Sequence, residues 1–110
     1  MLQTLTTPRG ETLSGTPWQV YPRPQMRRDS YINLNGEWDF AVSSGKPETF
    51  DMRILVPFCT ESRLSGIGRH FEEGAPLWYR RRFLLPEGFR RKRVLLHIGA
   101  ADQIAEVFVN

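Results

Sequence analysis

A chain of 110 residues with 40% apolar and 25% charged side chains has the make-up of one ordinary globular domain, which excludes a disordered tail. The formal net charge of +3 is a mild excess spread along the chain, better suited to solubility than to gripping nucleic acid or a membrane surface. No segment approaches the roughly 18 apolar residues that a bilayer span needs, and the single cysteine, Cys59, excludes an internal disulfide.

Residues 1 to about 30 read as an extended N-terminal arm. Thr, Pro and Gly come early, followed by the dense stretch Tyr21-Pro22-Arg23-Pro24-Gln25-Met26-Arg27-Arg28. Prolines two apart forbid a helix and favour extended or turn geometry. Such an arm either lies on the surface of another domain or remains a loose terminus. The first twenty residues lack the basic start and apolar run of a secretory signal. With one cysteine, that points to the reducing cytoplasm.

From Tyr31 the pattern is all-β. The octapeptide Asn33-Leu34-Asn35-Gly36-Glu37-Trp38-Asp39-Phe40 is a turn feeding a half-buried strand. Trp38, Phe40 and Val42 fall on one face, Glu37, Asp39 and Ala41 on the other. The expected strands are about 37–43, 53–57, 78–85, 93–99 and 104–110. Between them stand Ser44-Gly45 with Pro47, Ser65-Gly66-Ile67-Gly68, Glu73-Gly74-Ala75-Pro76 and Pro86-Glu87-Gly88. No convincing amphipathic helix, repeat or low-complexity block interrupts them. Short strands with Gly and Pro turns predict an antiparallel β-sandwich or jelly roll.

The third strand places Trp78, Arg80, Arg82 and Leu84 on one face and Tyr79, Arg81, Phe83 and Leu85 on the other. Neither face is apolar in its middle. Arginine stems cover apolar surface while the guanidinium reaches water or a carboxylate, so this strand faces either solvent or a second domain. Strand 93–99 gathers Val94, Leu96 and Ile98 on one side. Strand 104–110 offers Ile104 and Phe108 on one face and Ala105, Val107 and Val109 on the other, a pair expected in the core. Trp38, Trp78 and Phe108 are expected in the core, whereas Trp18, Tyr21 and Tyr31 are candidates for exposure.

Together, the octapeptide, Ile54-Leu55-Val56-Pro57-Phe58, Leu77-Trp78-Tyr79-Arg80-Arg81-Arg82-Phe83, the run 93–102 and Val107-Phe108-Val109-Asn110 form an ordered set. Over residues 20 to 110 this set resembles the start of the N-terminal sugar-binding domain of glycoside hydrolase family 2, nearest its β-galactosidase and β-glucuronidase branch. The resemblance implies a galactose-binding-like jelly roll over 31–110, incomplete at the C-terminus, where the family usually continues with Gly after Asn110. It also implies a parent retaining β-glycosidase whose two catalytic glutamates lie in a separate barrel domain. This segment holds no Asn-Glu dipeptide of the family's acid/base type, so no catalytic residue is expected here.

One residue is expected to touch substrate. In family members the loop between the strands matching 93–99 and 104–110 reaches the rim of the active site, where an Asp or Asn binds sugar hydroxyls. The matching residue is Asp102, whose carboxylate suits hydroxyl donors. Its ordinary alternative is to turn the chain. Loop 57–69 has the glycines for tight turns but lacks the Gly-Lys-Ser/Thr of a phosphate cradle, so it reads as structural. His70 and His97 lack metal-ligand spacing and are expected to be structural, and Cys59 a half-buried thiol. No Gly-x-Ser-x-Gly elbow is present.

The arginine clusters 80–82 and 90–93 invite a nucleic-acid reading, but the intervening carboxylates weaken the field and no recognition motif occurs. No metal or cofactor is expected. The expected partners are a β-glycoside bound through the parent enzyme, its catalytic barrel and a homo-oligomer partner. Two other readings remain open: a stand-alone carbohydrate-binding module, and an assembly segment whose arm crosses to a neighbour.

Overall fold

A computed structural model describes residues 6–89 and 92–110. Its regular structure is antiparallel β with little helix. Strands β1 (Gly36–Val42), β2 (Met52–Val56) and β3 (Leu77–Arg80) form one sheet in the order β2-β1-β3. Gly36 pairs with Val56 and Phe40 with Met52 on one side of β1. Asp39 pairs with Arg80 and Val42 with Leu77 on the other. The central strand is therefore the octapeptide strand; the alternation of its side chains predicts a strand there, and the pairing sets it in the middle.

The start of β1 is set by local polar bonds. The Asn33 side-chain oxygen accepts from the Asn35 amide at 2.9 Å, closing a tight turn. The Trp38 indole N–H donates to the Leu34 carbonyl at 2.7 Å. Arg81 from beyond β3 folds back over this entry, its Nη1 donating to the carbonyls of Leu34, Asn35 and Glu37 at 3.1, 3.2 and 3.4 Å. Gly36, at φ +134°, lies directly beneath that guanidinium.

The core centres on Phe40, wholly buried, with Ile54 beside it. Phe71 and Tyr79 close on the Phe40 ring at 5.8 and 5.2 Å between centroids. Aromatic pairs at these separations add to the stabilisation from area burial alone. Burial departs from the expected alternation at one step: Ala41 is buried and Val42 exposed. Ala41 lies opposite Trp78, whose ring stacks on Phe108 at 6.2 Å, so the second face is covered there too. The Trp78 indole N–H finds the Ser43 carbonyl at 3.0 Å. Trp38 and Trp78 are half-buried, but Phe108 is exposed despite its stack on Trp78.

Three expected elements differ. The third strand stops at Arg80, short of 85, and Arg81 just beyond it spends its guanidinium on the carbonyls of the β1 entry. The segments 93–99 and 104–110 join no ladder. Every residue from Lys92 to Asn110 is exposed, among them Leu95, Ile98, Ile104 and Phe108. Apolar alternation supplies a face to bury, yet a strand also needs a neighbouring backbone for its amides and carbonyls. The chain accordingly exposes 10309 Å², against about 6,300 Å² for a compact monomer of this mass. Its radius of gyration is 16.0 Å, where about 13 Å is usual.

Within the arm, α1 (Pro8–Thr12) is a short helix that the proline pattern did not predict. Thr7 caps it, its hydroxyl accepting from the Gly10 amide at 3.1 Å, and Pro8 takes the first-turn position where a missing N–H costs nothing. The arm is tied to the sheet entry further on. Asn33 Nδ2 donates to the Trp18 carbonyl at 2.6 Å, and the Tyr31 hydroxyl to the Gln19 carbonyl at 3.2 Å. No helix of the described residues is long and apolar enough to cross a membrane.

Candidate functional site

Three features carry chemistry: the charged face of the sheet, the loop after β2, and the segment around Asp102. On the first, the register sets opposite charges across from one another. Asp39 faces Arg53 on one side and Arg80 on the other. Arg80 Nε and Nη2 donate to Asp39 Oδ2 at 3.0 and 2.9 Å, while Arg53 Nη2 stands 4.0 Å from Oδ1. Arg53 also meets Glu37 at 3.3 Å, and Arg80 lies over the Phe50 ring at 4.1 Å. These pairs are largely exposed and of modest worth for stability. The two carboxylates and two guanidinia compensate one another on this face.

The loop after β2 closes over the Phe40 side of the sheet. The turn Arg63–Ser65 is capped by Ser62, whose hydroxyl accepts from the Leu64 amide at 3.2 Å, and ends at Gly66 in the left-handed region. Buried Ser65 donates its hydroxyl to the Ser62 carbonyl at 2.7 Å and accepts from the Ile67 amide at 3.0 Å. The Arg69 amide returns to the Thr60 carbonyl at 3.0 Å, and Arg69 lies over the Phe71 ring at 4.5 Å. The polar atoms of this loop serve its own shape, as a structural loop requires.

At its rim Glu61 meets His70 Nδ1 at 3.0 Å and receives the Thr60 hydroxyl at 3.2 Å. Its carboxyl is held below the ordinary 4.5, chiefly by its own backbone amide, then by His70, with Thr60 and Cys59 adding and burial opposing. Tyr79 is pushed up by burial first, then by Cys59 and Glu61 nearby. The ring nitrogen of His70 is thus engaged by Glu61, and Cys59 is exposed rather than half-buried. Among the described residues no group of His, Cys, Asp or Glu is placed to hold a metal.

A lowered folded pKa means that ionised Glu61 stabilises the loop above its unfolded pKa, and that this contribution is lost as pH falls through the folded value. The Arg69 amide should therefore exchange with solvent faster as pH drops below about 4.5 than intrinsic chemistry alone predicts, as read by amide-resolved NMR. Glu61→Gln should remove that excess pH dependence.

Two open grooves meet at Arg53 and Gly66. The larger, of ≈ 580 Å³, runs between the arm and the sheet and is lined by Gly15, Thr16, Glu37, Arg53 and Leu64 among others. The smaller, of ≈ 200 Å³, lies between Met52, Ile67 and Arg69. Glu37 and Arg53 offer the larger groove acceptors and donors whose charges cancel.

No family model matches the chain. No curated protein matches it either.

Asp102, the residue expected to touch substrate, is exposed, and its Oδ1 accepts from the Gln103 amide at 3.0 Å. It lines neither groove. His97 is exposed. Of the two arginine clusters, Arg80 and Arg81 are committed to Asp39 and to the β1 entry. Arg90 and Arg91 lie outside the described residues, as do the first five residues of the arm. The ion ladder Glu37–Arg53–Asp39–Arg80 escaped the sequence reading. Its signal is there, as acids alternate along β1 opposite basic residues, but the register is needed to see it.

Proposed function

We propose that this chain is part of the N-terminal sugar-binding domain of a family 2 glycoside hydrolase, non-catalytic in itself. In this reading it buttresses a catalytic barrel and lends Asp102 to a pocket for β-galactosides or β-glucuronides. The observation that carries it is the ordered set of motifs whose first member, Asn-Gly-Glu-Trp-Asp-Phe, forms the central strand of the sheet. A galactose-binding-like jelly roll is the matching fold, and the exposed apolar run from Val94 to Val109 supports it, since a second layer would cover those residues. Cytoplasmic placement fits the lone cysteine.

Two measurements test the reading. The native product, pulled down from its source cell, should have an intact mass several times 12.8 kDa; a species at that mass would count against a parent glycosidase. In the parent enzyme, Asp102→Ala should lower kcat/KM on a nitrophenyl β-galactoside or β-glucuronide by about 10²- to 10³-fold. Its melting temperature should stay unchanged, because a carboxylate that meets the substrate is not part of the domain's packing. Unaltered kinetics would remove Asp102 from the substrate.

A further inference from the structure

Trp18 is the one bulky residue of the described chain, other than Asn110, that adopts a left-handed backbone without being glycine, at φ 53°. Such a conformation is unfavourable for an aromatic residue and persists only where its surroundings impose it. Here they do. Pro17, just before it, is buried. Asn33 clamps the Trp18 carbonyl at 2.6 Å, and Tyr31 clamps that of Gln19 at 3.2 Å. Tyr31 is in turn fixed edge-on against Tyr21, 5.1 Å between centroids. The strained, clamped backbone nevertheless leaves Trp18 69% exposed, so these contacts present the ring to solvent instead of burying it.

The position matters as much as the strain. Thr16, two residues earlier, lines the groove between arm and sheet. Two residues of chain reach about 7 Å at most, which keeps the Trp18 backbone near the groove's edge. The groove supplies Glu37 as acceptor and Arg53 as donor. Trp18 itself does not line the groove. An exposed aromatic two residues from its lining, together with paired polar groups in it, is the chemistry that recognises a pyranose, whose C–H face packs on a ring while its hydroxyls take hydrogen bonds. A side chain held in place before binding loses little entropy when the ligand arrives.

We propose that Trp18 and the adjoining groove form a sugar-binding site for a neutral β-linked oligosaccharide, distinct in its residues from Asp102. The ring stacks on one pyranose, and Glu37 and Arg53 bond its hydroxyls. This inference rests on the sugar-binding reading of the chain and deepens it.

The test is calorimetric titration of the 110-residue chain with β-1,4-galactotetraose. The wild-type chain should bind at millimolar affinity or tighter. Trp18→Ala should weaken binding at least tenfold. Trp18→Gly should lose binding to the same degree while raising the melting temperature, because glycine relieves the backbone at φ 53°. A structural role for the ring predicts the reverse, a lower melting temperature in both variants. Binding that survives Trp18→Ala but disappears in Asp102→Ala overturns this site and leaves the sugar-binding reading standing. Absence of binding by the wild-type chain overturns this site and leaves the parent-enzyme reading to the Asp102→Ala kinetics.

Discussion

Phe40→Ala is expected to abolish the cooperative thermal transition of the chain. Among the described residues the fully buried apolar side chains are few, with Phe40, Ile54 and the small Ala41 forming the core. Removing the central ring forfeits its own burial and leaves Phe71 and Tyr79 facing a void where they now pack against it. Losses of about 3–5 kcal/mol are usual for such truncations. A domain of this size has about 5–15 kcal/mol in total, and one with so much surface uncovered belongs at the lower end. Near-ultraviolet circular dichroism during heating measures the effect. A midpoint within experimental error of wild type would mean that the sheet is held by something other than this cluster.

The second large effect lies at the entry to β1. Gly36→Ala should cost about 2–4 kcal/mol, from two sources. A side chain at φ +134° is strained in itself, and the added Cβ would stand 2.7 Å from Arg81 Nη1. A long side chain usually swings away from such a clash at little cost. Arg81 has more to lose, because its Nη1 serves three carbonyls at once. The two sources separate in a double-mutant cycle. With Arg81→Met in place, Gly36→Ala should cost only the backbone part, about 1–3 kcal/mol. Equal cost in both backgrounds, measured by urea midpoints, would show that the guanidinium yields freely.

The first half of the sheet was legible because two signals coincide there. β1 alternates apolar and polar side chains as far as Phe40, β2 is a short apolar run after Arg53, and a connection rich in Ser, Gly and Pro lies between them, so pattern and pairing agree. β3 begins where predicted and ends early. Nothing in Arg80-Arg81-Arg82 distinguishes the arginine that continues a ladder from the one that leaves it; Arg80 answers Asp39, and Arg81 answers carbonyls 34, 35 and 37. Periodicity describes a strand's faces and says nothing of its edges. That is why 93–99 and 104–110, apolar enough to be strands, pair with nothing among the described residues. The short helix in the arm was not foreseen: the proline argument concerned residues 21–28, which hold no helix, whereas Thr7-Pro8 is a good way to start a short one.

The candidate site was legible in part. Trp18 was one of three aromatics named as candidates for exposure, of which Tyr21 and Tyr31 are half-buried; its left-handed backbone and the Asn33 and Tyr31 clamps belong to tertiary structure, which no local pattern reports. Asp102 was named from its neighbours in sequence, and its observed bond to the next amide is the turn chemistry available to any Asp in a loop.

The strand order β2-β1-β3 also bears on how the chain takes shape during synthesis. At about 5–20 residues per second, β2 leaves the ribosome soon after β1, and the two can zip into a hairpin at once. β3 follows only after the whole loop 57–76 has been made. In that interval one edge of β1 is bare, and Asp39 has Arg53 for company but not yet Arg80. On that order of synthesis the carboxylate that joins three strands in the finished sheet would for a time stand on a bare edge, where a charge disfavours docking of a like-charged or apolar strand in the place of β3.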